Sequence, residues 1–267
     1  MKNLFFGPAL LLLATLQGLA GPVFAASTCS KQSPAHRVAL LELYTSEGCS
    51  SCPPADQFVS ALPAAGVGVD QAVIMSLHVD YWNALGWKDR FSRAQFTQRQ
   101  RDLSARAGSQ IIYTPEFYIA AQEVRNGGRG LEPNVMAAIR RVDAEPARAD
   151  IGIALGPISA AGLPVDITAS AAQNGKLYVA LVESGLSNEV RAGENGGHVL
   201  RHDFVVRQWL APTSLADSAV GKHDVTLKRI LALPPGAMPG KLAVSAFVQG
   251  DDGEILQALS LPLCALN

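Results

Sequence analysis

The tightest constraint on the chain is one short run. Cys49-Ser50-Ser51-Cys52-Pro53-Pro54-Ala55-Asp56 follows directly on the apolar segment Val38-Ala39-Leu40-Leu41-Glu42-Leu43-Tyr44. That segment reads as a buried strand, and Thr45-Ser46-Glu47-Gly48 breaks it. Prolines at 53 and 54 predict a first helical turn, where a missing N–H breaks no intrahelical bond. The two cysteines therefore sit where a strand hands over to a helix. A helix start carries free N–H groups and a partial positive charge, and both favour a thiolate on the first cysteine. Thiolate is the nucleophile of disulfide exchange, and a second cysteine one turn on can resolve the mixed disulfide. Cys49 and Cys52 are thus the candidate catalytic pair of a thiol–disulfide oxidoreductase, with Cys49 attacking. Half of a zinc site and a structural disulfide are the other readings. A tetrahedral zinc site needs about four ligands, and no second CxxC or paired histidine follows at ligand spacing. Neither a resident metal nor a cofactor is expected.

The N-terminus bounds the compartment. Met1-Lys2-Asn3 precedes an apolar stretch to about Leu19, which ends in Gly21-Pro22-Val23-Phe24-Ala25-Ala26. This pattern predicts a signal peptide over residues 1–25, cut before Ala26. No later segment approaches the roughly 18 to 20 apolar residues that span a bilayer. The mature chain is expected to be periplasmic or secreted, with no membrane span, and so to meet oxidising conditions. There Cys29 and Cys264, near opposite ends, are expected to form a structural disulfide. The alternatives are that one of them exchanges with the Cys49–Cys52 pair or links two chains. With 22 Lys+Arg against 23 Asp+Glu, no basic excess exists to neutralise a phosphate backbone. Nucleic acid is not an expected partner; protein thiols or disulfides are, together with a redox partner that the sequence does not name.

The rest of the chain divides in two. Ala72–Val79 reads as a second apolar strand, Arg90–Arg106 as a helix, and Tyr113–Ala120 as a third strand entered through a proline. A turn-rich break at Gln122–Gly130 fits a hairpin, and Pro133–Asp143 reads as a helix. From Ala149 onward, short alternating runs punctuated by Gly, Pro, Asn and Asp suggest an antiparallel sandwich or barrel. The expected domains are 37–146 and 149–267, with a boundary at Glu145-Pro146-Ala147-Arg148.

Strand, CxxC, helix, strand, helix, Thr-Pro strand, hairpin and helix together resemble the thioredoxin fold. The run Leu41–Asp56 more closely resembles a bacterial family of secreted thioredoxin-like proteins of unknown function. His78-Val79-Asp80-Tyr81-Trp82, Leu85-Gly86-Trp87, Tyr113-Thr114-Pro115, Gly193-Glu194-Asn195 and Val205-Val206-Arg207 extend the match over most of the mature chain. The resemblance implies an α/β thioredoxin-like N-terminal domain followed by an antiparallel β-rich, sandwich-like C-terminal domain. It implies a cis Thr114–Pro115 bond beside the cysteines, with Thr114 and Pro115 presenting backbone to an extended substrate. The departures are Ser50-Ser51 between the cysteines and Glu47 beside them, which would oppose a thiolate. They leave the redox direction open.

Three further residues are candidates for proton transfer or support. Glu42 stands inside an apolar strand, where an unpaired carboxylate is costly; it can shuttle a proton for Cys52, face solvent, or pair with an arginine. His78 and Asp80 end the second strand at the edge that bears the cysteines. They read as base or ligand beside the thiols, or as a hydrogen-bonded pair anchoring the Tyr81–Trp87 loop. Tyr81, Trp82 and Trp87 read as an apolar groove over the cysteines or as core. His198 and His202, four apart on a strand, can share a face; His223 lies further on. Two functions compete with the oxidoreductase. One is a soft-metal protein, with Cys49, Cys52 and His78 holding copper in a binding or metallochaperone role. The other is a non-catalytic thioredoxin-like scaffold whose β domain binds a partner.

Overall fold

A computed structural model describes residues 1, 29–126, 130–217 and 221–264. The expected leader, its cut before Ala26 and Gly127 of the hairpin turn lie outside these residues. The chain begins with β1 (Cys29–Gln32), β2 (Ala39–Thr45), α1 (Pro53–Ala61), β3 (Ala72–His78), α2 (Ala94–Arg106), β4 (Glu116–Ile119), β5 (Gln122–Glu123) and α3 (Leu131–Asp143). Strands β6 (Ala149–Leu155), β7 (Leu163–Ala171), β8 (Gly175–Glu183), β9 (Leu186–Glu189), β10 (Val199–His202), β11 (Val205–Trp209), β12 (Thr213–Ser214) and β13 (Ala216–Asp217) follow. The last are β14 (His223–Leu231), β15 (Leu242–Gly250) and β16 (Ile255–Pro262).

Strands β2 and β3 lie parallel, from Ala39 opposite Ala72 to Thr45 opposite His78, and every residue of both is buried. Burial on both faces explains why each reads as a continuous apolar run. Helix α3 buries Val135, Ala138, Ile139 and Val142, a helical spacing of three and four. The β-rich half alternates instead. In β7, Leu163, Val165, Ile167, Ala169 and Ala171 are buried and the residues between them are not.

The expected fold class is overturned by the sheets. The molecule is mostly β-structure, with three α-helices among the described residues, and no thioredoxin-like α/β domain stands apart from a sandwich. A single mixed sheet runs β16-β15-β8-β11-β3-β2-β4-β5, with β12 also on β8, so strands of both halves join edge to edge in one hydrogen-bonded array. The junction is β11, which runs parallel to β3 and antiparallel to β8. A second sheet, β1-β6-β7-β14-β13, packs over its β8–β15–β16 region. The physical reason lies in β8. Its Leu177, Val179 and Leu181 enter the core between the sheets, while Ala180 and Val182 enter the core shared with β2, β3 and α1. A strand buried on both faces belongs to two cores at once, and a linear sequence pattern does not show that.

Between Val199 and Trp209 the chain forms two strands of different sheets. β10 pairs with β9 in a separate ribbon and β11 joins the mixed sheet. The break is Phe204, in the left-handed region at φ 58. Its carbonyl accepts from the Ser76 amide at 2.8 Å and thereby docks the turn against β3.

Candidate functional site

The site forms where β2 ends. The Ser46 hydroxyl accepts from the Gly48 amide at 3.1 Å and its carbonyl accepts from the Cys49 amide at 3.2 Å, which turns the chain off the sheet. Gly48 lets Trp82 pack close: a β-carbon there would stand 3.1 Å from Cβ of Trp82. Cys52 then caps α1, with prolines in the first turn. Cys49 and Cys52 are joined in a disulfide, with Cα atoms 5.4 Å apart. Cys29 and Cys264 form the second disulfide, which ties β1 of one sheet to the chain just beyond β16 of the other.

The prolines have a chemical consequence. Pro53 and Pro54 carry no N–H, so α1 offers fewer free donors to a thiolate than a helix start normally would. A neighbouring hydroxyl offers another: Oγ of Ser51 lies 3.3 Å from Sγ of Cys49. The position at the helix start predicts an exposed Cys49. The structure corrects this, since both cysteines are 0% exposed while Ser50 and Ser51 between them are exposed.

Two elements cover the disulfide turn. One is the Tyr81–Trp87 segment, whose three aromatic residues are all half-buried. The Trp82 indole donates to Oγ1 of Thr114 at 2.8 Å and so ties this covering segment to the Thr114–Pro115 segment. That peptide bond is cis, the isomer the resemblance implied. The other is a loop between β9 and β10. Oε2 of Glu194 accepts from the Ser50 amide at 2.9 Å and from its hydroxyl at 2.7 Å. These bonds, the hydroxyl first, hold the Glu194 carboxyl below its ordinary range. Nδ2 of Asn195 donates to the carbonyls of Glu47 at 2.8 Å and Cys49 at 2.9 Å.

Behind the turn lies a buried ionisable cluster. Glu47, fully buried, accepts from the Trp87 indole at 2.8 Å and from Nδ2 of Asn188 at 2.9 Å. His202 of β10 stands between two carboxylates, with Nε2 3.3 Å from Glu47 and Nδ1 3.5 Å from Asp56 of α1. Burial works against a charged imidazole, but Asp56 and Glu47 outweigh it and push His202 up to about 9. The His78 ring is 5.0 Å from that of His202, and its Nδ1 lies 2.6 Å from Asp89. Asp89 also accepts from the Glu47 amide at 2.9 Å and the Phe91 amide at 2.8 Å. Burial opposes its charge, yet His78 and these amides hold its carboxyl below the ordinary value.

The other candidates are placed as follows. His78 pairs with Asp89 and not with Asp80, which accepts from the Thr97 hydroxyl at 2.6 Å. Glu42 is fully buried and held by Arg99, with Nε at 2.5 Å and Nη2 at 2.9 Å. The Arg99 guanidinium also lies over the rings of Tyr178, Trp209 and Phe247. His198 is exposed on the covering loop and His202 is buried, so the two share no site. His223 pairs with Asp217 at 2.7 Å, in the other sheet. Among the described residues no group of three or more His, Cys, Asp or Glu side chains is arranged to hold a metal ion. Sequence reading did not single out Asp56, Asp89 or Asn188 as site residues, and it took Glu194 and Asn195 only as part of a segment that extends the resemblance. Asp56 alone had a local signal, one turn after Cys52.

Fold and site together define a class: a β-rich protein of two packed sheets, with a buried CxxC disulfide at a strand-to-helix junction closed by a loop from the second half. Residues 40–249 match the family described as protein of unknown function (DUF1223), and the chain belongs to that family. The unknown function agrees with the resemblance drawn from the sequence; the thioredoxin-like fold attached to it does not agree with the sheets. A search of curated proteins finds no match. Among solved structures, the chain is similar to a protein from Agrobacterium tumefaciens, at 22% identity and a TM-score of 0.58, over 87% of this chain and 97% of that one. It is also similar to HBP35 of Porphyromonas gingivalis, at 17% identity and a TM-score of 0.61, over 86% of this chain and 76% of that one. At these identities the likeness concerns the fold alone.

Proposed function

We propose that the protein is an exported thiol–disulfide oxidoreductase that uses the Cys49–Cys52 pair on protein thiols or disulfides. The observation that carries this reading is the placement of the pair. The disulfide closes a four-residue turn at a helix start, next to the Trp82 segment whose indole reaches Thr114, and in front of the buried His202 cluster. A structural disulfide needs no such surroundings, and the Cys29–Cys264 bond has none of them. In the reduced state the Cys49 thiolate attacks a substrate disulfide. One substrate sulfur leaves as a thiolate and a mixed disulfide forms. Cys52 then attacks Sγ of Cys49, releases the second substrate sulfur and restores the Cys49–Cys52 bond. The substrate gains two electrons and two protons. In the opposite direction the protein disulfide accepts them. Ser51 supplies a hydroxyl to the Cys49 sulfur, and His202 places a buried cation beside Asp56, one turn along α1 from Cys52. Thr114 and Pro115 present the backbone that a substrate would meet. Glu42, tied to Arg99, supports the strand and takes no part in proton transfer in this scheme.

The test is equilibration of the full mature chain in glutathione buffers, with turnover of a disulfide-bonded protein measured alongside. A defined potential for Cys49–Cys52, with catalysed reduction or oxidation of the substrate, is the expected result. A pair that never exchanges in the native protein would sink the reading in favour of a scaffold. A reduced pair that takes up Cu(I) stoichiometrically and lacks turnover would favour the metal-handling alternative.

A further inference from the structure

We propose that Glu194, with Asn195 beside it, is a positioning residue for the disulfide. Acting through Ser50 and the Cys49 carbonyl, it sets how fast an incoming thiolate reaches the Cys49 sulfur. This inference rests on the oxidoreductase reading and adds the step that controls access.

The geometry requires such a step. A thiolate attacks a disulfide along the S–S axis, so it must approach Sγ of Cys49 from the side away from Cys52. Both cysteines are 0% exposed, although Ser50 and Ser51 between them face solvent. The turn is therefore closed by its surroundings. Glu194 grips it from outside, through the amide and hydroxyl of Ser50. Asn195, itself buried, spends both amide protons on the carbonyls of Glu47 and Cys49. The two residues are adjacent in the chain and hold the turn on both sides of Cys49.

The grip is built to let go. Gly193, Gly196 and Gly197 punctuate the loop, and Gly193 and Gly197 take left-handed φ angles of 73° and 86°. Ala192, Gly193, Glu194, Gly196 and Gly197 are exposed. Buried Val190 anchors the loop at its base, and across Arg191–His198 Asn195 is the one buried member, so no apolar side chain holds the stretch that carries Glu194. Water can replace the Glu194 bonds at the surface, so their release costs little. Gly193 packs on Trp87, where a β-carbon would stand 3.1 Å from Cβ of that residue, so the loop also rests on the aromatic segment over the site. A second effect acts in the same direction. While Glu194 holds the Ser50 amide, that N–H is withheld from any charge developing at the neighbouring sulfur.

Reduction then proceeds in balanced steps. A partner thiolate bonds to Sγ of Cys49 as the Cys49–Cys52 bond breaks, and the electron pair leaves on Cys52, which takes a proton from water. A second partner thiol attacks the mixed disulfide and frees Cys49. The partner dithiol is oxidised and the protein disulfide reduced, by two electrons.

The experiment measures the rate at which dithiothreitol reduces the oxidised, full mature chain, for wild type, Glu194→Ala, Glu194→Gln and Ser50→Ala. Two hydrogen bonds of ordinary net strength correspond to about tenfold in an opening equilibrium, so Glu194→Ala should react about tenfold faster. Glu194→Gln keeps an acceptor and should rescue most of the wild-type rate. Ser50→Ala removes one donor and should give roughly threefold. Combined with Glu194→Ala it should add nothing, because both act through the same contact. Rates within twofold of wild type in both Glu194→Ala and Ser50→Ala, with thermal unfolding unchanged, would overturn the proposal. So would equal acceleration by Glu194→Gln and Glu194→Ala. Should Glu194→Ala fail to fold, the Ser50→Ala and Glu194→Gln rates decide alone. Faster dithiothreitol attack without turnover of any disulfide-bonded protein would uphold the access control and sink the oxidoreductase reading. Turnover with no Glu194 effect would do the reverse.

Discussion

Nε2 of His202 lies 3.3 Å from a carboxylate oxygen of Glu47, with both side chains buried. One residue ends a short ribbon strand in the second half, and the other lies two residues past β2 in the first. Asp56 completes the arrangement at 3.5 Å from the other ring nitrogen. A cation thus sits between two carboxylates directly behind the cysteine turn. Burial alone would make the imidazole neutral; the carboxylates reverse that and push it up to about 9. Such an arrangement ties stability to pH in a defined sense.

The folded pKa of His202, about 9, lies above its ordinary value of 6.5. Its stabilisation is therefore complete below pH 6.5 and fades as pH rises toward and past 9. Denaturant unfolding of the oxidised protein at both ends of that window should show a loss of a few kcal/mol on the alkaline side. His202→Asn should flatten the dependence and lower stability by about 3 kcal/mol at neutral pH, since it leaves two buried carboxylates without their cation. Identical pH profiles for the two proteins would contradict this.

Cys52→Ser should accumulate a mixed disulfide with substrate through Cys49, because nothing remains to resolve it. Cys49→Ser should trap little. Non-reducing gels and mass spectrometry of the adducts read the outcome, and the opposite pattern would exchange the two roles.

Arg99, itself largely buried, holds the fully buried Glu42 with two hydrogen bonds, and Glu42 in turn holds Arg99 above its ordinary pKa against the effect of burial. Arg99→Met should destabilise by about 3 to 5 kcal/mol in chemical denaturation. Adding Glu42→Gln should recover much of that loss, because the uncompensated charge goes with it. A double variant no better than Arg99→Met would show that the ring contacts of Arg99, and not the ion pair, carry its contribution.

The Cys29–Cys264 bond joins the two sheets and closes a loop of 235 residues in sequence separation. Its removal in Cys29→Ser/Cys264→Ser should cost about 4 to 5 kcal/mol on the chain-entropy account. Exchange at Cys49–Cys52 should persist in that variant. A change below about 1 kcal/mol would mean that sheet packing alone fixes the ends.

If the chain is exported as its N-terminus suggests, the mature protein begins at Ala26. Intact-mass measurement of the protein from the exported fraction reads this directly, and a chain still carrying Met1 would refute it.

What the sequence determined by itself is what depends on near neighbours. An apolar run, a break, a cysteine pair and two prolines are enough to set strand β2, the turn and the start of α1, because each choice is made within a few residues. The short alternating strands of the second half follow from the same local physics. Other things were decided only in three dimensions. Period-two burial tells which face of a strand is covered but not which strand lies beside it, since backbone hydrogen bonds fit any neighbour. Hence β11 lies against β3 and β8 is buried on both faces, and the two halves share one sheet where the pattern along the chain divides them. The site follows the same rule. Cys49 and Cys52 were legible because their chemistry is in their spacing. Glu194, Asn195 and His202 acquire theirs from contacts with Ser50, Cys49 and Asp56, and these exist only once the long-range pairing has brought the second half of the chain onto the first.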